Sequence, residues 1–252
     1  MRDLPQVLLR WIPPSASLTR PPQGMTSDVA FIEGTLEPLV LKHCHDAIYL
    51  PWLRREHEVL RALAGSGLPI PRVRDFVDDG NEAWLVMTRV PGISLWQAML
   101  EATPATRGDL LSRLGALLAR LHATPVPPSL EAATAWIDRK LAEAEQNLSW
   151  CDGSRTLLDD LHRRRPPPHH EALIHGDLAL DNIVVAPDRT MSLIDWPSGD
   201  LGDPRCDLAL PLQTEPELVL GLDEIAAFFK GYGAAPLDHA VRRWFVDLYE
   251  FF

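Results

Sequence analysis

Apolar residues recur along this chain with two different periods. Up to about Val90 they come in short runs, Leu39-Val-Leu41 ahead of Lys42 and Ala83-Trp-Leu-Val-Met87, whose length and composition suit buried strands. Beyond that point, and once before it, the spacing is helical. It runs through Leu53, Leu60 and Leu63, then Leu110, Leu114, Leu117 and Leu121, then Trp136, Ile137, Leu141 and Leu148, and finally Val241, Trp244, Phe245 and Leu248. Pro91-Gly92 breaks the pattern, Pro125, Pro127 and Pro128 end one helix, and Pro166-Pro-Pro168 leads into a further strand. Between Leu173 and Ile194 the chain reads as short β-rich runs, two of them joined across a Pro187-Asp-Arg-Thr190 turn that returns the chain as a hairpin. The pattern predicts a strand-rich region with one helix over residues 1–90 and a mainly helical region, built around these hairpins, over residues 91–252.

Polar residues that interrupt the apolar pattern carry the chemistry. Asp177 and Asn182 fall on a short loop between two β-rich runs, and Asp195 ends a third, so three oxygen donors converge at one mouth. Transfer of a γ-phosphoryl group needs such a mouth: a carboxylate to take the proton of the attacking hydroxyl, and an amide and a carboxylate to hold Mg²⁺ against the phosphates. In the first region Lys42 closes an apolar strand, where an ammonium is out of place unless it reaches a phosphate or a carboxylate. Glu56 comes three residues after Leu53 and four before Leu60, on the inward stripe of its helix, whereas Glu58 is turned about 200° away. Glu56 therefore needs a cation, and Lys42 is the natural one.

The spacing resembles that of the protein kinases, in which the catalytic Asp is followed five positions later by Asn and then by a second magnesium-binding Asp. Gly176 and Trp196-Pro197 depart from the protein-kinase pattern and disfavour control through a phosphorylated activation loop. Leu173-Ile-His-Gly-Asp177 with Ile194-Asp-Trp196 resembles instead the aminoglycoside 3′-phosphotransferases, antibiotic kinases of the kinase-like superfamily. Val90-Pro-Gly-Ile-Ser-Leu95, the Leu114–His122 helix and Gly202-Asp-Pro-Arg-Cys-Asp-Leu-Ala209 agree with that family in order and spacing.

The resemblance implies a bilobal, protein-kinase-like α+β fold, with a small antiparallel-sheet lobe before a hinge near Val90 and a larger helical lobe after it. It implies Asp177 as catalytic base, Asn182 and Asp195 as ligands of Mg²⁺, and Lys42 with Glu56 as the pair that positions the phosphates of ATP or GTP. Ser27, in Gln23-Gly-Met-Thr-Ser-Asp28, would belong to a phosphate-covering loop, and Met87 and Arg89 to the hinge that holds the purine. Asp207 would buttress the catalytic loop through backbone hydrogen bonds, with His175 as a further support. The family's closing helix ends in carboxylates turned to the drug. Glu250 and the terminal carboxylate of Phe252 match that ending, Tyr249 stands where the family has Asp, and Asp152, Asp159 and Asp160 are candidates for an acidic substrate loop.

Composition narrows the partners. A net charge of −11 disfavours nucleic acid and suits a polycationic small molecule. No stretch is long and apolar enough to span a membrane, and the first residues lack the basic and apolar regions of a signal peptide. Cys44, Cys151 and Cys206 lack metal-ligand spacing and read as reduced thiols, so a cytoplasmic location is expected. Two rival readings stay open: a kinase of another hydroxylated metabolite or antibiotic, such as a macrolide, homoserine or a choline-like alcohol, and a nucleotide-binding module without catalysis.

Overall fold

The computed structural model describes residues 4–21, 26–213 and 216–252. The chain divides into two compact units, Met1–Gly92 with Ser192–Ser198, and Ile93–Met191 with Gly199–Phe252.

In the first unit β1 (Ser17–Thr19), β2 (Asp28–Glu33), β3 (Leu39–Cys44), β4 (Val73–Asp78) and β5 (Ala83–Thr88) form an antiparallel sheet in the order β1-β2-β3-β5-β4. The interior strand β5, flanked by β3 and β4, is buried from Ala83 to Met87, which is why it reads as an unbroken apolar run. Helix α1 (Leu50–Ala62) turns Leu53, Glu56, Val59 and Leu60 inward. Leu8, Ile32, Leu39, Leu41, Trp84 and Val86 form an apolar cluster in this unit.

In the second unit the short strand β6 (Ile93–Ser94) passes into α2 (Leu95–Glu101), whose first turn is closed by the Ser94 hydroxyl accepting from the Gln97 N–H. Then come α3 (Pro104–His122), α4 (Trp136–Asn147), α5 (Arg155–Arg163), β7 (Ala172–Ile174), β8 (Ile183–Val185), β9 (Met191–Leu193), of which only Met191 belongs to this unit, β10 (Asp200–Gly202), α6 (Arg205–Ala209), α7 (Leu222–Tyr232) and α8 (His239–Tyr249). Strand β7 pairs antiparallel with β10, and β6 with β8. The predicted turn after β8 is closed by Ala186 N–H donating to Thr190 O and Arg189 N–H to Ala186 O. Trp136, Ile137, Leu158, Leu161, Trp244, Phe245, Leu248 and Phe251 share one core.

Two details depart from the periodic pattern. Helix α3 buries Leu111 and Leu118 with Leu110, Leu114 and Leu121, while Leu117 is only half-buried. The stripe is turned by glycine: a Cβ on Gly115 would stand 2.1 Å from Phe228 O, and one on Gly231 would stand 1.9 Å from Ser112 O. Helices α3 and α7 therefore touch backbone to backbone, a contact to which hydropathy is blind. At the chain end, Phe251 is fully buried against Gly153, where a Cβ would lie 2.4 Å from its ring.

Candidate active site

The first unit holds an ionic cluster on the apolar strand β3, which runs on past Lys42 to Cys44. Lys42, on β3, places Nζ 2.8 and 2.7 Å from the two carboxylate oxygens of Glu56 and 2.7 Å from Asp195 Oδ1. The Glu56 side chain is almost wholly buried and that of Asp195 is 45% exposed. Burial disfavours the Lys42 ammonium, but Asp195 and Glu56 overcome it and hold its pKa above the ordinary lysine value. Burial also pushes the Glu56 carboxyl up; Lys42 opposes this, Asp195 adds to it, and the net direction is upward. A simple ion pair would lower the acid. Here two carboxylates share one cation, and the contact of both Glu56 oxygens with Nζ remains that of an ion pair. Asp195 takes φ 65°, a left-handed backbone unusual for a residue with a Cβ and tolerated best by Asp and Asn.

The second unit holds Asp177. After β7 the chain turns through Gly176, at φ 80°, where glycine carries no penalty. Asp207, fully buried on α6, accepts from the N–H groups of His175 at 2.7 Å and Gly176 at 2.9 Å, and lies 3.2 Å from His122 Nε2. His122 Nδ1 in turn meets the Tyr232 hydroxyl at 2.9 Å. Burial would raise the Asp207 carboxyl, but the His122 hydrogen bond and the imidazoles of His122 and His175 outweigh it and hold the group below its ordinary value. Asn182 donates its amide N–H to Asp177 O at 2.8 Å and to Asp177 Oδ2 at 3.2 Å. That fixes the amide plane and turns the Asn182 carbonyl oxygen the other way. An amide oxygen and a half-exposed carboxylate such as Asp195 are hard donors of the sort that Mg²⁺ takes. On Oδ1 of Asp177 sits the Tyr249 hydroxyl, at 2.5 Å.

The remaining predicted residues are placed as follows. Gln23, Gly24 and Met25 lie outside the described residues; Ser27 is half-buried just before β2. Met87 is buried in β5, paired with both β3 and β4. The Arg89 guanidinium is committed to Glu33 at 2.6 Å and stands 3.7 Å over the Phe31 ring, while the Thr88 and Arg89 N–H groups donate to Arg72 O and Pro38 O. A backbone donor for a purine in this segment would therefore come from Val90 onward.

Glu250 is exposed at the end of α8, its carbonyl accepting from Gly153 N–H at 2.8 Å, so Asp152 and Glu250 stand at neighbouring backbone positions. Asn147 holds Phe251 O at 2.8 Å, and Lys140 Nζ lies 4.3 Å over the Phe252 ring. Asp159 is exposed on α5. Asp160, on the same helix, is bound by Arg164 and Arg163, whose hydrogen bonds and charge hold its carboxyl below the usual range and keep it ionised as a partner of those two arginines. Sequence reasoning gave no role to His122, Tyr232 or the Tyr249 hydroxyl; only the Leu-His ending of α3 hinted at the first.

Residues 17–245 match the model of the phosphotransferase enzyme family. The chain belongs to that family. Among known proteins this phosphotransferase is similar to an aminoglycoside 3′-phosphotransferase of Streptomyces fradiae, at 30% identity over 79% of this chain and 80% of that one. It is also similar to the crystal structure of an aminoglycoside-3′-phosphotransferase of type VIII, with a TM-score of 0.80 and 26% identity over 98% of this chain and 97% of the other. An aminoglycoside phosphotransferase of Streptomyces rimosus, solved with ADP and streptomycin, shares the fold at a TM-score of 0.75 and 23% identity, over 97% of this chain and 96% of that one. The phosphotransferase has the α+β, bilobal protein-kinase-like fold expected of its sequence, and it acts on an alcohol group as acceptor. No described helix of the phosphotransferase is long and apolar enough to cross a membrane.

Proposed function

We propose that the protein transfers the γ-phosphoryl group of ATP or GTP to the 3′-hydroxyl of an aminoglycoside and so inactivates the antibiotic in the cytoplasm. The observation that carries this reading is the state of the Asp177 carboxylate: Oδ2 is fixed by Asn182, and Oδ1 already holds a hydroxyl, that of Tyr249. An oxygen that accepts a phenol O–H can accept the O–H of a sugar. In this reading residues 1–90 act as the nucleotide-binding lobe and residues 91–252 as the catalytic and substrate-binding lobe.

Asp177 orients the acceptor hydroxyl and takes its proton as the oxygen bonds to phosphorus, while the bond from the γ-phosphorus to the leaving nucleoside diphosphate breaks. Lys42, held by Glu56, steadies the phosphates of the nucleotide. Asn182 and Asp195 would hold Mg²⁺, which when bound neutralises charge on the phosphates. Because the transition state is loose, acceleration comes from alignment and charge neutralisation, and no phosphoenzyme is needed. Asp152, Asp159 and Glu250 supply exposed negative charge for a polyamine, in keeping with the net charge of −11.

A second reading is favoured by Tyr249. A neutral phenol beside the base, where the family has a carboxylate, suits an acceptor with fewer ammonium groups, and a kinase of another hydroxylated antibiotic or metabolite would use the same base. Mg²⁺-dependent release of ADP or GDP with kanamycin, and with tobramycin, which lacks the 3′-hydroxyl, separates the two, with Asp177→Ala as control. Turnover with kanamycin alone, abolished in the control, is the expected result. Turnover with both drugs moves the target hydroxyl, and silence with both while nucleotide still binds overturns the aminoglycoside assignment.

A further inference from the structure

A second set of polar side chains stands in the first unit, on the face of β3 opposite Lys42. Antiparallel register puts Asp28, the first residue of β2, directly across from His43 on β3. Two residues beyond His43, strand alternation returns His45 to the face that His43 occupies. The two imidazole rings are 5.4 Å apart between centroids. One donor atom from each of Asp28, His43 and His45 lies within 4.8 Å of the other two.

His43 is the decisive member. Its side chain is buried and stacked on Trp84, with ring centroids 4.8 Å apart. Nε2 meets Glu82 Oε2 at 2.6 Å, while Nδ1 is buried without a hydrogen-bond partner among the described residues. A buried nitrogen left unpaired gives up its hydrogen bonds to water without replacement, which destabilises the apo arrangement. The tautomer that donates Nε2–H to Glu82 leaves a lone pair on Nδ1, and a carboxylate behind one imidazole nitrogen is the usual support for a metal on the other. His45 is exposed, and among the described residues Asp28 makes a long contact, 3.8 Å, with Arg20.

We propose that Asp28, His43 Nδ1 and His45 form a binding site for a divalent transition-metal ion of the zinc type, with Glu82 orienting His43 from behind. Two imidazoles and one carboxylate suit such an ion, whereas Mg²⁺ prefers an all-oxygen set. Ligand bonds of about 2.1 Å in a tetrahedral ion put donors roughly 3.4 Å apart, so the three side chains need only close by small rotations. The exposed side of His45 leaves the fourth position to water. Bound there, the ion ties the first residue of β2 to the chain just past the end of β3, immediately after Ser27.

The test is a calorimetric titration of the purified full chain with Zn²⁺ alone, in excess Mg²⁺. One equivalent should bind with micromolar or tighter affinity and raise the melting temperature. His45→Ala and Asp28→Asn should each weaken binding at least about tenfold, and Glu82→Gln, which keeps the shape of the side chain, by about ten- to a hundredfold. Both His45 and Asp28 lie outside the apolar core, so these variants fold; His43→Ala removes a stacked buried ring and is not needed. Titration with Ni²⁺ should quench the fluorescence of Trp84, and Trp84→Phe should remove that part of the signal. Absence of Zn²⁺ binding, or binding of equal strength in both His45→Ala and Asp28→Asn, would overturn the assignment, the second result placing the ion on other surface histidines such as His169 and His170.

Discussion

Replacing Asp207 with asparagine keeps the volume of the side chain and exchanges one of its two acceptor oxygens for an N–H₂ donor. In the protein Oδ2 accepts from His175 N–H and faces His122, while Oδ1 accepts from Gly176 N–H. Whichever way the amide turns, one of the two backbone N–H groups meets another donor inside a fully buried site. One orphaned N–H costs about 1–3 kcal/mol, and the surviving bonds lose roughly 1 kcal/mol of charge assistance. Asp207→Asn should therefore lower the free energy of unfolding by roughly 2–4 kcal/mol, seen in urea as an earlier midpoint with an unchanged slope.

Turnover should fall about a hundredfold at a temperature where the variant is still folded, because the two N–H groups belong to the residues that lead directly into Asp177 and a shift of about 1 Å there is enough. The acid limb gives an independent check. The Asp207 carboxyl is held below its ordinary value in the folded protein. Its stabilisation is thus fully present above the unfolded value of about 3.9 and is lost as the pH falls through the folded value. The stability gap between parent and variant should be flat near neutrality and narrow below about pH 4. A free energy of unfolding within about 0.5 kcal/mol of the parent's, or a loss of stability with turnover intact, would refute the idea that these contacts hold the base in place.

Two further outcomes follow from contacts described above. Tyr249→Phe removes the hydroxyl that competes with the acceptor for Asp177 Oδ1, so the acceptor KM should fall about tenfold with kcat little changed, and nucleotide hydrolysis without acceptor should rise; unchanged values of both would show that the phenol is not displaced during turnover. Gly231→Ala drives a methyl group into Ser112 O on the neighbouring helix and should cost about 1–3 kcal/mol or more, read as a drop in melting temperature, whereas Gly108→Ala on the same α3, with its nearest contact at 3.9 Å, should be tolerated.

What could be read from the sequence was whatever leaves a mark within one element. Lys42 is conspicuous at the end of Leu39-Val-Leu41, and Glu56 is conspicuous because it falls on the apolar stripe of α1; both are local anomalies, and the structure joins them. Asp177 and Asn182 are likewise five residues apart on one loop. Contacts between distant parts left no such mark. Tyr249 reaches Asp177 from the last turn of α8, and His122 reaches Asp207 from the end of α3. Hydropathy placed Leu117 on the buried face of α3 because glycine has no side chain to register. Yet Gly115 and Gly231 set the rotation of that helix by letting two backbones meet. Arg89 lies in the segment expected to form the hinge, and nothing near it in sequence announces Glu33 and Phe31 as the partners of its side chain.

The membership of Ser192–Ser198 in the first unit bears on how such a chain can be inherited. A single recombination at the Pro91–Gly92 break would exchange the strand-rich half for a relative's, but would leave behind the segment that carries Asp195. Lys42 from one parent would then face an aspartate from the other, on a stretch whose left-handed turn and Trp196 backbone contact with Glu56 were shaped by a different sheet. Only an exchange that also carried the short insert, at two additional junctions, would transmit the ionic cluster whole. The two halves of this protein are therefore free to diverge but not to be traded at a single joint.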